Sequence, residues 1–188
     1  MVRSLALALI GAFLIASARG ELSLAPRVLE HEKEGGKYKE LAFSDGGKTV
    51  TYQAPHGWDY SGSATQLTLR PPNKAQVEAT ITRVLLPQPS SFDDESLKKL
   101  VSDAVASVPN GSESITVVSQ EKNPLMIDSK ETFLITLSYT FYGQKYGRSI
   151  LFLNRGKEQI RSQLTCHEAD FKELHRAFLR SQYSWQGL

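Results

Sequence analysis

Cysteine is almost absent: Cys166 is the one thiol in 188 residues. The chain can therefore form no intrachain disulfide, and its stability must come from packing. Charge of either sign is also scarce in net terms, with 22 basic and 20 acidic side chains giving +2. That excess provides no long-range pull on nucleic acid or an anionic surface, and no nucleic-acid partner is expected. The phosphate and hydrolase signatures are missing too. The sequence holds no GxxxxGK followed by Ser or Thr, no GxGxxG before a helix, no HExxH and no GxSxG. It has no internal repeat or low-complexity tract.

Long apolar runs are confined to one place, LALALIGAFLI. Arg3 precedes the run, and Ala16-Ser17-Ala18 supplies small residues at cleavage positions, the pattern of a signal peptide over residues 1–18. The competing reading is an uncleaved anchor, but the run falls short of the about 20 residues that span a bilayer. No transmembrane segment is expected after cleavage, which removes Arg3 and predicts a secreted or periplasmic protein. Residues 19–188 suffice for one domain with a core.

Residues 19–38, around HEKEGGK, show no sustained period and read as a polar N-terminal extension, loosely ordered or partly helical. A single domain is expected over 39–188. SDGG marks a turn before TVTYQAP, in which Val50 and Tyr52 share a strand face. In YQAPHGW, Pro55 and Gly57 make a bend and Trp58 opens the next strand as a packing anchor. Thr65–Leu69 follows, closed by Pro71-Pro72. QVEATITRVLL alternates at period two, with Val77, Ala79 and Ile81 inward and Glu78 and the threonines outward.

Leu97, Leu100, Val101, Ala104, Val105 and Val108 recur at helical spacing, opposite Lys98, Lys99 and Asp103. Ser91, Asp93 or Asp94 can cap this helix. Strands then follow at Ile115–Ser119, Thr132–Tyr142, Tyr146–Leu153 and Glu158–Leu164. The long Thr132 strand puts Phe133, Ile135, Leu137, Tyr139 and Phe141 on one face. Leu134 stands among threonine and serine on the other, which reads as partly covered. A closing helix starts in TCHEADF, where Thr165 and Glu168 have capping-box spacing, and carries Phe171, Leu174 and Phe178 on one stripe.

YQAPHGW, the hairpin YTFYGQKYGRSILFL and the closing LTCHEADFKELHRAFLRSQYSW resemble the Mog1/PsbP family, over residues 40 to 185. The family includes a Ran-binding protein and a photosystem II extrinsic protein, with many exported bacterial members. The resemblance implies an α+β fold, an α/β/α sandwich with a mostly antiparallel sheet. It also implies engagement of partner proteins or larger assemblies, catalysis not being a shared property. Neither GTPase binding nor photosystem chemistry transfers, since the first conflicts with an export signal and no metal-ligand cluster accompanies the second.

Candidate chemistry is sparse. Cys166 at a helix start would favour a thiolate, against the plainer reading of a semi-buried packing residue. His31, His56, His167 and His175 read as surface residues; the last two lie about 12 Å apart along a helix, too far to share a metal. Asp93-Asp94-Glu95 explain helix initiation better than acid–base work. Lys172, Arg176 and Arg180 form a basic stripe that could merge with Arg148, Arg155, Lys157 and Arg161, or be neutralised locally from Glu168. Phe141, Tyr142 and Tyr146 cluster at a hairpin tip and offer a protein contact. Asn110-Gly111-Ser112 is a glycosylation sequon or simply a turn.

No catalytic, cofactor-binding or metal residues are assigned, and no cofactor is expected. The leading expectation is a non-enzymatic exported accessory or binding domain with a protein partner. The alternatives are a carrier of a small ligand between sheet and helix, and a thiol-dependent enzyme using Cys166.

Overall fold

The computed structural model describes residues 21–33 and 36–188. The expected signal peptide, residues 1–18, lies outside the described residues. These form ten strands and two helices, an α+β fold. β1 (Leu22–Lys33), β2 (Gly36–Asp45) and β3 (Lys48–Tyr52) make a three-stranded sheet. The larger sheet contains β4 (Asp59–Gly62), β5 (Gln66–Arg70), β6 (Glu78–Leu85), β7 (Glu113–Lys122), β8 (Thr132–Phe141), β9 (Gln144–Arg155) and β10 (Glu158–His167). Its order is β4-β5-β6-β10-β9-β8-β7, and every described strand pairing is antiparallel. The helices are α1 (Asp94–Ala106) and α2 (Glu168–Gln182).

Period-two alternation divides the core. On β8 and β9, Leu134, Leu151 and Leu153 join one apolar cluster with Leu174 and Phe178 of α2. Phe133, Ile135, Leu137, Ile150 and Phe152 join another with Leu100 and Ala104 of α1. The alternation is that of a pleated sheet buried on both faces, because successive side chains point oppositely. The face of β8 read as partly covered is in fact buried, Leu134 and Thr136 included.

Asp93 caps α1, its carboxylate accepting from the Ser96 N–H at 2.8 Å. The predicted capping box of α2 does not form. β10 continues to His167, which stands at the N-cap without a side-chain cap bond, and Thr165 is buried in the strand, accepting from Arg148 Nε at 2.9 Å. Strand pairing with β9 down to His167↔Tyr146 outcompetes an earlier helix start.

Residues 19–38 also require correction, because most belong to β1 and the start of β2. Leu22 and Leu24 are fully buried beside Phe43, Val50 and Tyr52. Beyond them the β1–β2 hairpin holds itself by cross-strand contacts, His31 donating or accepting with Glu40 at 3.0 Å and stacking on Tyr38 at 4.8 Å. Gly62 lets β1 cross β4: a Cβ there would sit 2.5 Å from the Leu24 carbonyl oxygen and 2.6 Å from Pro26 Cδ.

YQAPHGW and RSQYSW meet in space. Trp58 stacks on Phe178, ring planes within 4°, and Tyr52 stacks on Trp185 at 4.6 Å. The Tyr52 hydroxyl bonds Ser181 Oγ at 2.7 Å, and Gln182 joins Ser162 (2.9 Å) and the Trp185 indole N–H (3.2 Å). Burial drives the Tyr52 phenol pKa upward, with the Ser181 and Gln182 bonds opposing, so the hydroxyl stays protonated. Trp58 is therefore the packing anchor that its sequence context predicts.

Candidate functional site

Cys166 lies one residue before the end of β10, inside the core at 1% exposure. Burial pushes its thiol up to about 11, Asp170 adding to the rise and Lys74 opposing it. The helix-start environment that would favour a thiolate is absent, since the chain is still extended at this residue. Among the described residues no hydrogen bond joins Cys166 to a histidine or carboxylate.

The four histidines stay apart. His31 lies on the β1–β2 hairpin and His56 is exposed on a turn. His167 stacks on Tyr146 at 4.6 Å and bonds Gln76, while His175 stacks on Phe171 at 4.9 Å. His175 departs from the surface reading: its Nε2 is buried without a hydrogen-bond partner, and desolvation lowers its pKa against a weaker opposite pull from Glu121. No group of three or more His, Cys, Asp or Glu among the described residues could hold a metal ion.

The basic residues do not merge into one patch. Lys172, Arg176 and Arg180 are exposed on α2, over the Leu164 face of the sheet. Arg148 and Arg161 project from the opposite face, with Ile150 and Phe152. Arg155 instead pairs with Asp45 at 2.5 Å and Glu158 at 2.8 Å, fastening the small sheet to the large one. Glu168 faces Lys145 at 3.9 Å, so the expected neutralisation of the stripe through Lys172 does not occur there.

Two surface features hold more interest. The first is the β8–β9 turn. Phe141 pairs with Gln144, and both intervening residues have left-handed backbone, Tyr142 at φ 47° and Gly143 at φ 72°. This is the two-residue hairpin geometry whose first position favours Asn, Asp or Gly. A tyrosine there is strained, and its ring stands 88% exposed beside Phe141 at 4.4 Å. Phe141 and Tyr146, by contrast, are half-buried against the α1 cluster.

The second is a cleft of about 270 Å³ where α1 leaves part of its sheet face uncovered. Thr80 and Thr82 of β6, Arg161 and Gln163 of β10, and Ile150 and Phe152 of β9 form its floor; Leu100, Asp103 and Ala104 of α1 form a wall. The Arg161 guanidinium lies over the Phe152 ring at 5.7 Å and donates from Nε to Gln159 Oε1 at 2.8 Å. Partial burial lowers its pKa, with Asp103 opposing. Sequence reading placed these threonines outward but gave no sign that three strands would collect them beside one arginine.

No protein-family model matches the chain, and no curated protein matches it. Solved structures do. LpqN of Mycobacterium tuberculosis, involved in cell envelope biogenesis, aligns at 9% identity and TM-score 0.53, covering 86% of this chain and 89% of its own. Cyanobacterial PsbP (CyanoP) of Synechocystis aligns at 13% identity and TM-score 0.49, over 96% and 98%. The Pseudomonas aeruginosa protein PA94, a putative regulator, aligns at 12% and 0.46, over 84% and 95%. At such identities the LpqN likeness is one of fold. The chain therefore shares the α+β fold of LpqN.

Proposed function

We propose that this chain is an exported, non-enzymatic accessory domain, an α/β/α sandwich that engages a protein partner through the tip of the β8–β9 hairpin. The observation that carries the reading is Tyr142. Its backbone is strained and its ring is solvated, so the fold gains little from an aromatic there, and a residue costly to folding belongs to binding. Export is supported by the composition of residues 1–18, which also bounds the domain to the remainder. The non-enzymatic reading is supported by the burial and raised pKa of Cys166 and by the separation of the histidines.

Tyr142→Asn tests it, because asparagine suits the left-handed turn position. The variant should keep or slightly raise thermal stability, within about 0.5 kcal/mol. It should lose photocross-linking from the neighbouring Gln144 position to a protein of the exported fraction. Tyr183→Asn, at another exposed tyrosine, should leave that cross-link intact. Equal cross-linking by both variants would refute the hairpin tip as the contact.

A further inference from the structure

From an observation independent of Tyr142, we propose that the cleft between α1 and strands β6, β9 and β10 binds a small organic carboxylate. Arg161 would hold the carboxylate, with the apolar body lying against Ile150, Phe152 and Leu100.

Arg161 is pre-positioned for this. Asn154 Oδ1 accepts from Gln159 Nε2 at 2.9 Å, which turns Gln159 Oε1 toward Arg161 Nε. The guanidinium carbon also lies over the Phe152 ring at 5.7 Å, a cation–π contact that helps hold it in place. Among the described residues, Arg161 has no ion pair and its terminal N–H groups have no hydrogen-bond acceptor. They line the cleft rather than being sealed away from it. Arg83 of β6 and Arg155 of β9 are each paired with carboxylates, and Arg148 of β9 donates to Thr165 Oγ1 and the Ser107 carbonyl oxygen, whereas the terminal N–H groups of Arg161 keep no such acceptor.

Asp103 of the cleft wall favours the charged Arg161 through space but makes no ion pair with it. Its carboxylate is paired instead with Lys99 at 2.9 Å. Glu78 also lines the cleft, but at the end where β6 pairs with Thr165, four registers from the Thr82 opposite Arg161, or about 13 Å along the strand. The ligand is thus offered a fork of donors at one point and an apolar wall next to it. Thr80 and Gln163 add polar edges. The volume of about 270 Å³ sits below the range for drug-sized ligands, so the ligand must be small. Cation, fork geometry and adjoining hydrocarbon together select a carboxylate carrying a short apolar chain.

Hexanoate, hexanamide and inorganic phosphate serve as probes in titrations followed by amide NMR of the purified protein. Hexanoate should give saturable shifts at Thr80, Thr82, Ala104 and Arg161, and hexanamide should bind about tenfold more weakly. Arg161→Gln should weaken hexanoate about tenfold and leave hexanamide unchanged. Gln163→Glu, which sets a like charge in the cleft wall, should also weaken hexanoate and decides the matter if the Arg161 variant fails to fold. Equal binding of hexanoate and hexanamide would overturn the proposal, as would shifts centred on Lys172 and Arg176. Phosphate binding as tightly as hexanoate would overturn the role given to the apolar wall.

Discussion

The two faces of the large sheet are covered very differently. On one, α2, the small sheet and residues 185–188 close over Ala79, Ile81, Leu151 and Leu164, so the cover reaches from β8 across to β5. On the other, α1 covers Phe133, Ile135, Leu137, Ile150 and Phe152, leaving β6 and β10 with threonine, glutamine and arginine beside an open cleft. Apolar burial stabilises in proportion to area, so the first face should dominate folding and the second should be where change is tolerated. The sealed face holds the structure together, and the half-covered face leaves a cleft open beside α1.

Substitutions on each side can break this asymmetry. Phe178→Ala on the sealed face should cost about 3–5 kcal/mol, removing the ring under Trp58 from a site with no solvent nearby. Denaturant unfolding would measure it, and alkylation of Cys166, slow in the native protein because the thiol is buried and its pKa raised, should accelerate in step. Leu100→Ala on the other face should cost less, about 2 kcal/mol, because the cavity it leaves opens into the existing cleft. Equal losses would mean that α1 is as deeply packed as α2.

Next in size is Ser181→Ala, which takes a 2.7 Å partner from the buried Tyr52 hydroxyl and should cost about 1–2 kcal/mol. Tyr52→Phe in the same background should recover most of it, a double-mutant cycle that isolates the bond.

The smallest effect is one of pH. The folded-state pKa of His175 lies below the ordinary 6.5, so the unfolded chain takes up its proton first as pH falls. Its contribution should be complete above about pH 6.5 and decline as pH drops through that value toward the lower folded pKa. His175→Phe should flatten this part of the stability profile, and an unchanged slope would show that its buried Nε2 is not a source of acid sensitivity.

The sealed face was largely legible in the sequence. Val50, Tyr52, Ala79, Ile81 and the α2 stripe alternate at the periods of strand and helix, and Trp58 and Trp185 stand beside turn residues. β1 was not legible, since Pro26 breaks its alternation and its outer half is held by His31, Glu40 and Tyr38, which resemble a solvated tail. The start of α2 was misread because a capping-box spacing carries no information about the strand pairing that competes with it. The cleft was invisible for another reason. Arg161, Thr82 and Phe152 are neighbours through strand register alone, and an outward threonine reads the same whether it faces water or a ligand.

The meeting of Tyr52 with Ser181 and Gln182 joins residues 129 and 130 positions apart. Thr51 and Gln186 exchange backbone hydrogen bonds at 3.0 and 3.1 Å, and Lys130 Nζ reaches the Leu188 carbonyl oxygen at 2.5 Å. A chain delivered in order, whether from the ribosome or through a narrow pore, cannot finish this core until those late residues arrive. Every earlier intermediate must leave Tyr52, Phe43 and Trp58 without their aromatic cover. Closure of this part of the core is therefore tied to residues 178–186, which are the last of its partners to be made.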